Sequence, residues 1–417
     1  MTTVSTRGTN LPRMGGFNQA ALLEAIRLGA GTCTRADLAR KTGLSAQTVT
    51  NAVRRLLEAG LVTEEDVKRQ PGAGRPGTTL DIVPDSRFAV GVHLDPAAVV
   101  VVLLDLAGQV VATRTAPTPE SEEPGAALEV VVREIDAVLD GAAVERDRVL
   151  GVGLATPGPI DRARGLVLDP PHLTTWHDVP LRDEVARRTG LPTLLDKDVL
   201  AVAAAILWFP ASGRPTDAAV VYAGTGVAIG IVSGGDIVRG VSGNAGEAGH
   251  VSVGRAFGRC ACGREGCLGG VLSANAILAN AVERGIDLGA GATDAGASET
   301  VRADRAVDGL RALAEAGDPA VAPFLHETGA ALGSALTTVC ELLDLDTVVP
   351  SGPVWDRLGP WLEPGLRSVL DAYPMPGHHP LRVLGTAGDG PVAAVGAACL
   401  MLDDALTPRP TGLLLRV

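Results

Sequence analysis

The strongest constraint in this sequence is a change of hydrophobic period near Pro84. Before it, FNQAALLEAIRL (Phe17 to Leu28) spaces Leu22, Leu23, Ile26 and Leu28 close to the helical period, as a helix with one face in a core requires. After it, AVGVHLDPAAVVVVLLDL and RVLGVGLATPGPID read as buried strands, with a helical stretch near Ala126 to Leu139 between them. A small helical module followed by an α/β body is therefore expected. The 417 residues are enough for two to three domains of roughly 100–200 residues each. With 46% hydrophobic and 20% charged residues, the chain can bury a core without disulfides and is not a disordered one. Its longest uncharged apolar run, Val199 to Phe209, falls well short of the roughly 20 residues that a membrane span needs. The opening MTTVSTRGTN has no apolar secretory segment, so a reducing cytoplasmic setting is expected, with the six cysteines as thiols or metal ligands.

Net charge is −12, but it is unevenly spread. Residues 1–84 hold 11 Lys/Arg against 7 Asp/Glu, and the remainder holds 25 against 41. A basic module thus precedes an acidic body. Within the module, TRADLARKTGLSAQTVTNAVRRLLEAGLV lets Thr34 cap a short helix through Arg40, Gly43 make a turn, and Ser45 cap a second helix to about Ala59. This is the order of a helix-turn-helix. Val49, Val53, Leu56 and Leu57 form the apolar stripe of the second helix, leaving Gln47, Thr48, Thr50, Asn51, Arg54 and Arg55 outside. Those side chains, with Ser45, have the hydrogen-bonding and charge types that read base edges and hold phosphates of double-stranded DNA. LVTEEDVKRQPGAGRPGTTLDIV then predicts two short strands around a Gly/Pro-rich tip, a wing whose Arg75 can enter a minor groove. The competing reading is a three-helix structural or protein-binding domain with solvated arginines.

The body repeats its plan from Asp217 (DAAVVYAGTGVAIGIVSGGDIVRG), and long helices such as Pro319 to Leu343 follow, so two related lobes around a cleft are expected. Residues 286–304 are Gly/Ala-rich and predict a mobile surface connection. The boundaries read as 1–83 for the winged module, 84–200 with about 390–417 for the first lobe, and 201–389 for the second. The most specific signal is HVSVGRAFGRCACGREGC, which puts His250, Cys260, Cys262 and Cys267 within reach of one tetrahedral Zn2+. One imidazole and three thiolates make a closed structural set, because a hydrolytic site keeps a position for water. Three surface thiols beside an unrelated histidine are the alternative. Cys33, Cys340 and Cys399 stand alone in apolar helical settings and read as small core residues.

GEAGH (Gly246 to His250) followed by CACGREGC resembles the signature of the ROK family of bacterial sugar kinases and sugar-responsive repressors, the latter with an amino-terminal winged helix. LATPGPID, VPLRDEVARRTGLPTLLDKD, AGTGVAIGIV, AEAGDPAV and GDGPVAAVGAA extend the resemblance over nearly the whole chain after Pro84. It implies an actin-like, sugar-kinase-type fold of two lobes around a ligand cleft. It also implies that Asp198 matches the kinases' catalytic aspartate, that Glu247 and His250 contact a sugar, and that His250 serves metal and ligand with its two ring nitrogens.

Against kinase activity stands the segment that matches the family's D-x-G-G-T phosphate turn, here His93-Leu94-Asp95-Pro96-Ala97. Asp95 repels phosphate, Pro96 lacks an N–H and Ala97 lacks a hydroxyl. Gly224-Thr225-Gly226 is kept, but Ala228 and Ile229 stand where family kinases usually have glycine. Asp198 does not distinguish the classes, since repressors keep it as a hydrogen-bond acceptor; as a helix-amino-terminal Asp it has an ordinary structural reading too. At positions where family sugar binders usually have Asn, Asn and Glu, this chain has His172, Lys197 and Gly269. A more positive pocket suited to a sugar acid or phosphosugar is one consequence; the other is that Lys197 merely pairs with Asp196 or Asp198 and sensing is lost. The expected protein is a non-enzymatic, homo-oligomeric (dimer or tetramer) transcriptional regulator that binds an operator and a sugar-derived effector, with an ATP-dependent sugar kinase as the alternative.

Overall fold

A computed structural model describes residues 11–66, 78–119, 123–170, 173, 175–209, 215–254, 260, 262–289, 292, 294, 298–372, 380–385 and 390–406. The amino-terminal module is three helices, α1 (Leu11–Gly29), α2 (Arg35–Thr42) and α3 (Ala46–Glu58), with strands β1 (Cys33–Thr34), β2 (Val62–Asp66) and β3 (Thr78–Ile82) paired in the order β1-β3-β2. Its local causes are those read from the sequence. Thr34 accepts from the Asp37 amide while Asp37 reaches back to the Thr34 amide, a complete capping box. Gly43 closes α2 at a φ of 69°, in the left-handed region that glycine enters without strain. Ser45 caps α3, whose buried residues are Val49, Ala52, Val53 and Leu56. Leu57, expected in that stripe, is only half-buried. Strands β2 and β3 pair antiparallel as wing strands, and the tip carrying Arg75 lies outside the described residues. Cys33 is buried as expected, but on a strand.

The body has two lobes of related plan. In the first, β4 (Phe88–Leu94), β5 (Ala98–Asp105) and β6 (Val110–Pro117) form an antiparallel meander; β7 (Val149–Thr156) and β10 (Thr193–Lys197) join it in parallel, giving the order β10-β7-β4-β5-β6. Helices α4 (Pro124–Gly141) and α5 (Leu181–Thr189) cover one face, and β8 (Ile160–Asp161) and β9 (Leu166–Val167) make a small ribbon beside the cleft. The second lobe repeats the pattern with β11 (Ala218–Ala223), β12 (Val227–Ser233), β13 (Asp236–Val238), β14 (Thr347–Ser351) and β15 (Arg382–Val383), in the order β13-β12-β11-β14-β15. Helices α7 (Gly269–Leu272), α8 (Ala274–Glu283), α9 (Glu299–Glu315), α10 (Val321–Leu343) and α11 (Pro353–Leu370) build its outer layer.

Between the sheets run α6 (Asp198–Trp208) and α12 (Val392–Leu406). Their approach depends on a missing side chain: a Cβ at Gly396 would collide with the Ala201 carbonyl oxygen. Every residue of α6 is buried, which explains why its sequence reads as one apolar run instead of a one-sided stripe. The stretch expected as a mobile connection is in part structural. Ile286, Leu288 and Ala292 are buried in the second lobe's core, and Glu299 opens α9. Gly/Ala composition, a good sign of a linker in water, also suits close helix packing, and burial decides between them.

Candidate functional site: a cleft beside a thiol–imidazole cluster

Strand β10 ends at Lys197 and α6 begins at Asp198, so this junction delivers two ionisable side chains to the space between the lobes. A cavity of about 480 Å³ there is lined by Pro157, Gly158, Lys197, Asp198, Glu247, His250, Asn280 and Glu283 among others. Burial pushes the Asp198 carboxyl up to about 7; the charges of Asp95 and Glu247 add to that shift, against the Val199 amide and Lys197, which lower it. Lys197, whose side chain is only 1% exposed, does not pair with Asp196 or Asp198 as its neighbours in sequence suggest. Its ammonium donates to Glu247 Oε1, fifty residues away in sequence. Asp196 is engaged instead by Arg239 at 2.9 Å and Arg162 at 3.5 Å. The positive charge introduced at position 197 is therefore compensated inside the cleft. Gly158 lies against this pair, and a Cβ there would come within 3.0 Å of the Lys197 chain. Gly269 lines the same cavity, and a Cβ on it would lie 3.0 Å from the Gly249 carbonyl oxygen. His172 falls outside the described residues.

The four residues read as metal ligands come together. Their ligand atoms all lie within 4.8 Å of one another, with His250 Nδ1 at 3.7 Å from Cys260 Sγ and Cys262 Sγ at 3.7 Å from Cys267 Sγ. A zinc–sulfur bond of about 2.3 Å sets tetrahedral ligand atoms about 3.8 Å apart, so donor set and spacing both fit Zn2+. Hydrogen bonds from Arg264 lower the Cys262 thiol to about 6, whereas burial raises Cys267 to about 11. His250 turns Nδ1 to Cys260, and both residues also line the cleft.

A second cavity of about 390 Å³ shares Tyr222 and Thr225 with the first and is lined by His93, Asp95, Ala97, Asn275 and Asp356 among others. A contact between lobes is made here that no local sequence pattern foretells. Asp95 Oδ1 accepts from the Thr225 hydroxyl at 2.9 Å and from the Ala97 amide at 2.9 Å.

On the amino-terminal module, Ser45, Gln47, Asn51, Arg54 and Arg55 are exposed along α3. Thr48 is half-buried and hydrogen-bonded to the Ser45 hydroxyl at 2.9 Å. Gln47 donates to Asn51 Oδ1 at 3.3 Å, one helical turn on, so the two amides present a joint polar surface. The module also docks on the body, which its sequence does not announce. Arg27 of α1 stacks 3.8 Å over the Trp208 ring at the end of α6 and donates to the Trp208 carbonyl at 3.3 Å.

The sequence pattern that defines the ROK family matches residues 89–403, and that of the MarR family matches residues 10–75. A xylose repressor of Caldicellulosiruptor bescii is 29% identical over 63% of this chain and 65% of its own length, so the chain spans somewhat under two thirds of that relative. A glucokinase of Halalkalibacterium halodurans is 28% identical over 70% of this chain and 87% of its own. Among solved structures, a ROK family transcriptional regulator that is a homolog of the Escherichia coli MLC protein superposes with a TM-score of 0.74, covering 94% of this chain and 98% of its own at 23% identity.

Proposed function

The chain belongs to the ROK family, and from that membership we propose that it is a DNA-binding transcriptional repressor whose two-lobed body senses a sugar or sugar-derived effector. The observation that carries this reading is the union in one chain of a capped helix-turn-helix with exposed Gln47, Asn51, Arg54 and Arg55 and a cleft holding Asp198, Glu247 and His250. Base reading falls to Gln47 and Asn51, phosphate contact to Ser45, Thr48, Arg54, Arg55 and Arg75. One such module reads a half-site, so a symmetric dimer or tetramer on an inverted repeat follows. We divide the chain as 1–83, 84–200 with about 390–417, and 201–389.

In the cleft, Asp198 and Glu247 accept hydroxyl hydrogens and His250 offers its free ring nitrogen, a set suited to a polyol. The Lys197–Glu247 pair favours a neutral sugar over an acid or phosphosugar, since a second anion finds no uncompensated cation beside it among the described residues. Zn2+ held by His250, Cys260, Cys262 and Cys267 supplies a closed structural cross-link that fixes the loop carrying Glu247. Phosphoryl transfer is disfavoured because an aspartate stands in the phosphate turn.

The test is selection of DNA from a random pool by purified protein, then titration of the selected site with neutral, acidic and phosphorylated sugars. A palindromic site whose affinity changes with a neutral sugar is expected. Equal affinity for selected and random DNA sinks the repressor reading, and ATP-dependent phosphorylation of a hexose, lost in Asp198→Asn, replaces it with the kinase.

A further inference from the structure

The contact between Asp95 and Thr225 joins parts of the chain that are 130 residues apart and belong to different sheets: Asp95 follows β4 of the first lobe, Thr225 follows β11 of the second. A hydroxyl and a backbone N–H converging on one anionic oxygen is the chemistry by which glycine-rich turns hold phosphate. Here the anion is covalently part of the chain. We propose that Asp95 is a built-in substitute for phosphate: its carboxylate takes the Thr225 hydroxyl, stitches the two lobes together beside the second cavity, and excludes phosphorylated ligands from that cavity.

Three further observations support this role. Thr225 is buried and lines both cavities, so whatever holds it bears on both. The side-chain partners of Asp95 are the neutral Thr225 hydroxyl and Ala97 amide, so its negative charge stays available to repel a second anion. Of the two guanidinium groups that line the same cavity, Arg357 is committed to the Pro353 and Asp304 carbonyls and the Asp304 and Asp308 carboxylates, and Arg305 is paired with Asp294 at 3.3 Å. The aspartate that spoils this segment as a phosphate turn is thus the one that makes it self-sufficient, supplying the anion that the Ala97 N–H and the Thr225 hydroxyl hold. Such a stitch presets the lobes without nucleotide, as a protein that only senses a ligand requires. This role is independent of DNA binding.

The experiment uses the full-length chain and the variants Asp95→Ala, Asp95→Asn, Thr225→Val and the Asp95→Ala/Thr225→Val double. Hydrogen exchange at residues 224–226 reports the far lobe, and calorimetry with ADP and inorganic tripolyphosphate reports exclusion. Asp95→Ala and Thr225→Val should each speed that exchange about tenfold, the loss expected for one hydrogen bond, with the double no faster than either single. Asp95→Asn keeps an acceptor oxygen and should stay close to the parent. ADP or tripolyphosphate should bind Asp95→Ala at least about tenfold more tightly than the parent. Additive losses in the double, or an Asn variant as loose as the Ala variant, overturns the stitch; equal phosphate affinity in parent and Asp95→Ala overturns the exclusion. If Asp95→Ala fails to fold, Thr225→Val and Asp95→Asn decide the stitch by the same exchange, since only the former should loosen residues 224–226, and phosphate affinity in Asp95→Asn, which loses the charge, decides the exclusion.

Discussion

In the amino-terminal module, the proposed DNA contacts on α3 fall within residues 45–55, whereas the cleft draws Gly158, Lys197, Asp198, Glu247, His250 and Asn280 from both lobes. The difference is one of physical range. A helix fixes which residues share a face by its own period, so Gln47 and Asn51 meet whatever else the chain does. The cleft's partners meet only if two sheets and two central helices pack as they do, and Lys197 finds Glu247 for no reason visible in its own segment. Perturbations should therefore act locally in the module and spread in the body.

The sharpest separation comes from the thiol–imidazole cluster, whose residues are close in sequence but are proposed to brace the cleft. Cys262→Ser should abolish stoichiometric zinc, read by metal analysis of protein purified without added zinc, and should weaken any cleft ligand by about 10–100-fold while DNA affinity holds. Unchanged ligand affinity in metal-free protein breaks the proposed link between cluster and cleft.

Next in size is the pH response of the body. Asp198 is raised to about 7 by burial, so between the ordinary carboxyl value near 4 and about 7 the folded state holds a proton that the unfolded chain has released. Stability should fall as pH rises through that window and level off above it. Asp198→Asn should remove this slope, gaining on the order of a few kcal/mol over the parent at pH 8 and little at pH 4 in denaturant melts. A parallel pair of profiles contradicts the buried, protonated carboxyl.

Within the module, Asn51→Ala should cost about 1–3 kcal/mol on the selected site and relax one base position, while Arg54→Ala should weaken all sequences alike and lower the salt slope by about one. If both variants lose affinity uniformly, α3 holds backbone and does not read bases.

The smallest effect lies at the joint between the two regions. Arg27→Ala removes a stacked guanidinium worth about 0.5–2 kcal/mol and should loosen the docking of α1 on Trp208. The expected readout is faster hydrogen exchange in α1 with the body's α10 unchanged. Equal protection in both variants makes the contact incidental.

The helix-turn-helix was legible because each signal is short-ranged: a capping box at Thr34 and Asp37, a left-handed Gly43, a cap at Ser45 and an amphipathic α3. The candidate metal ligands were legible because the thiols of Cys260, Cys262 and Cys267 lie within a few residues of one another and coordination chemistry admits few uses for them. The sheet-forming runs followed from uninterrupted burial, as in β4 and β11. Tertiary structure decided the rest. It gave Lys197 a distant carboxylate, buried Ile286 and Leu288 out of a segment that reads as a linker, set Asp95 on Thr225, and placed Trp208 under Arg27. Hydrogen bonds and ion pairs act over a few ångströms, and residues 50, 130 or 181 positions apart come within that range only through the packing of intervening elements, which no local pattern encodes.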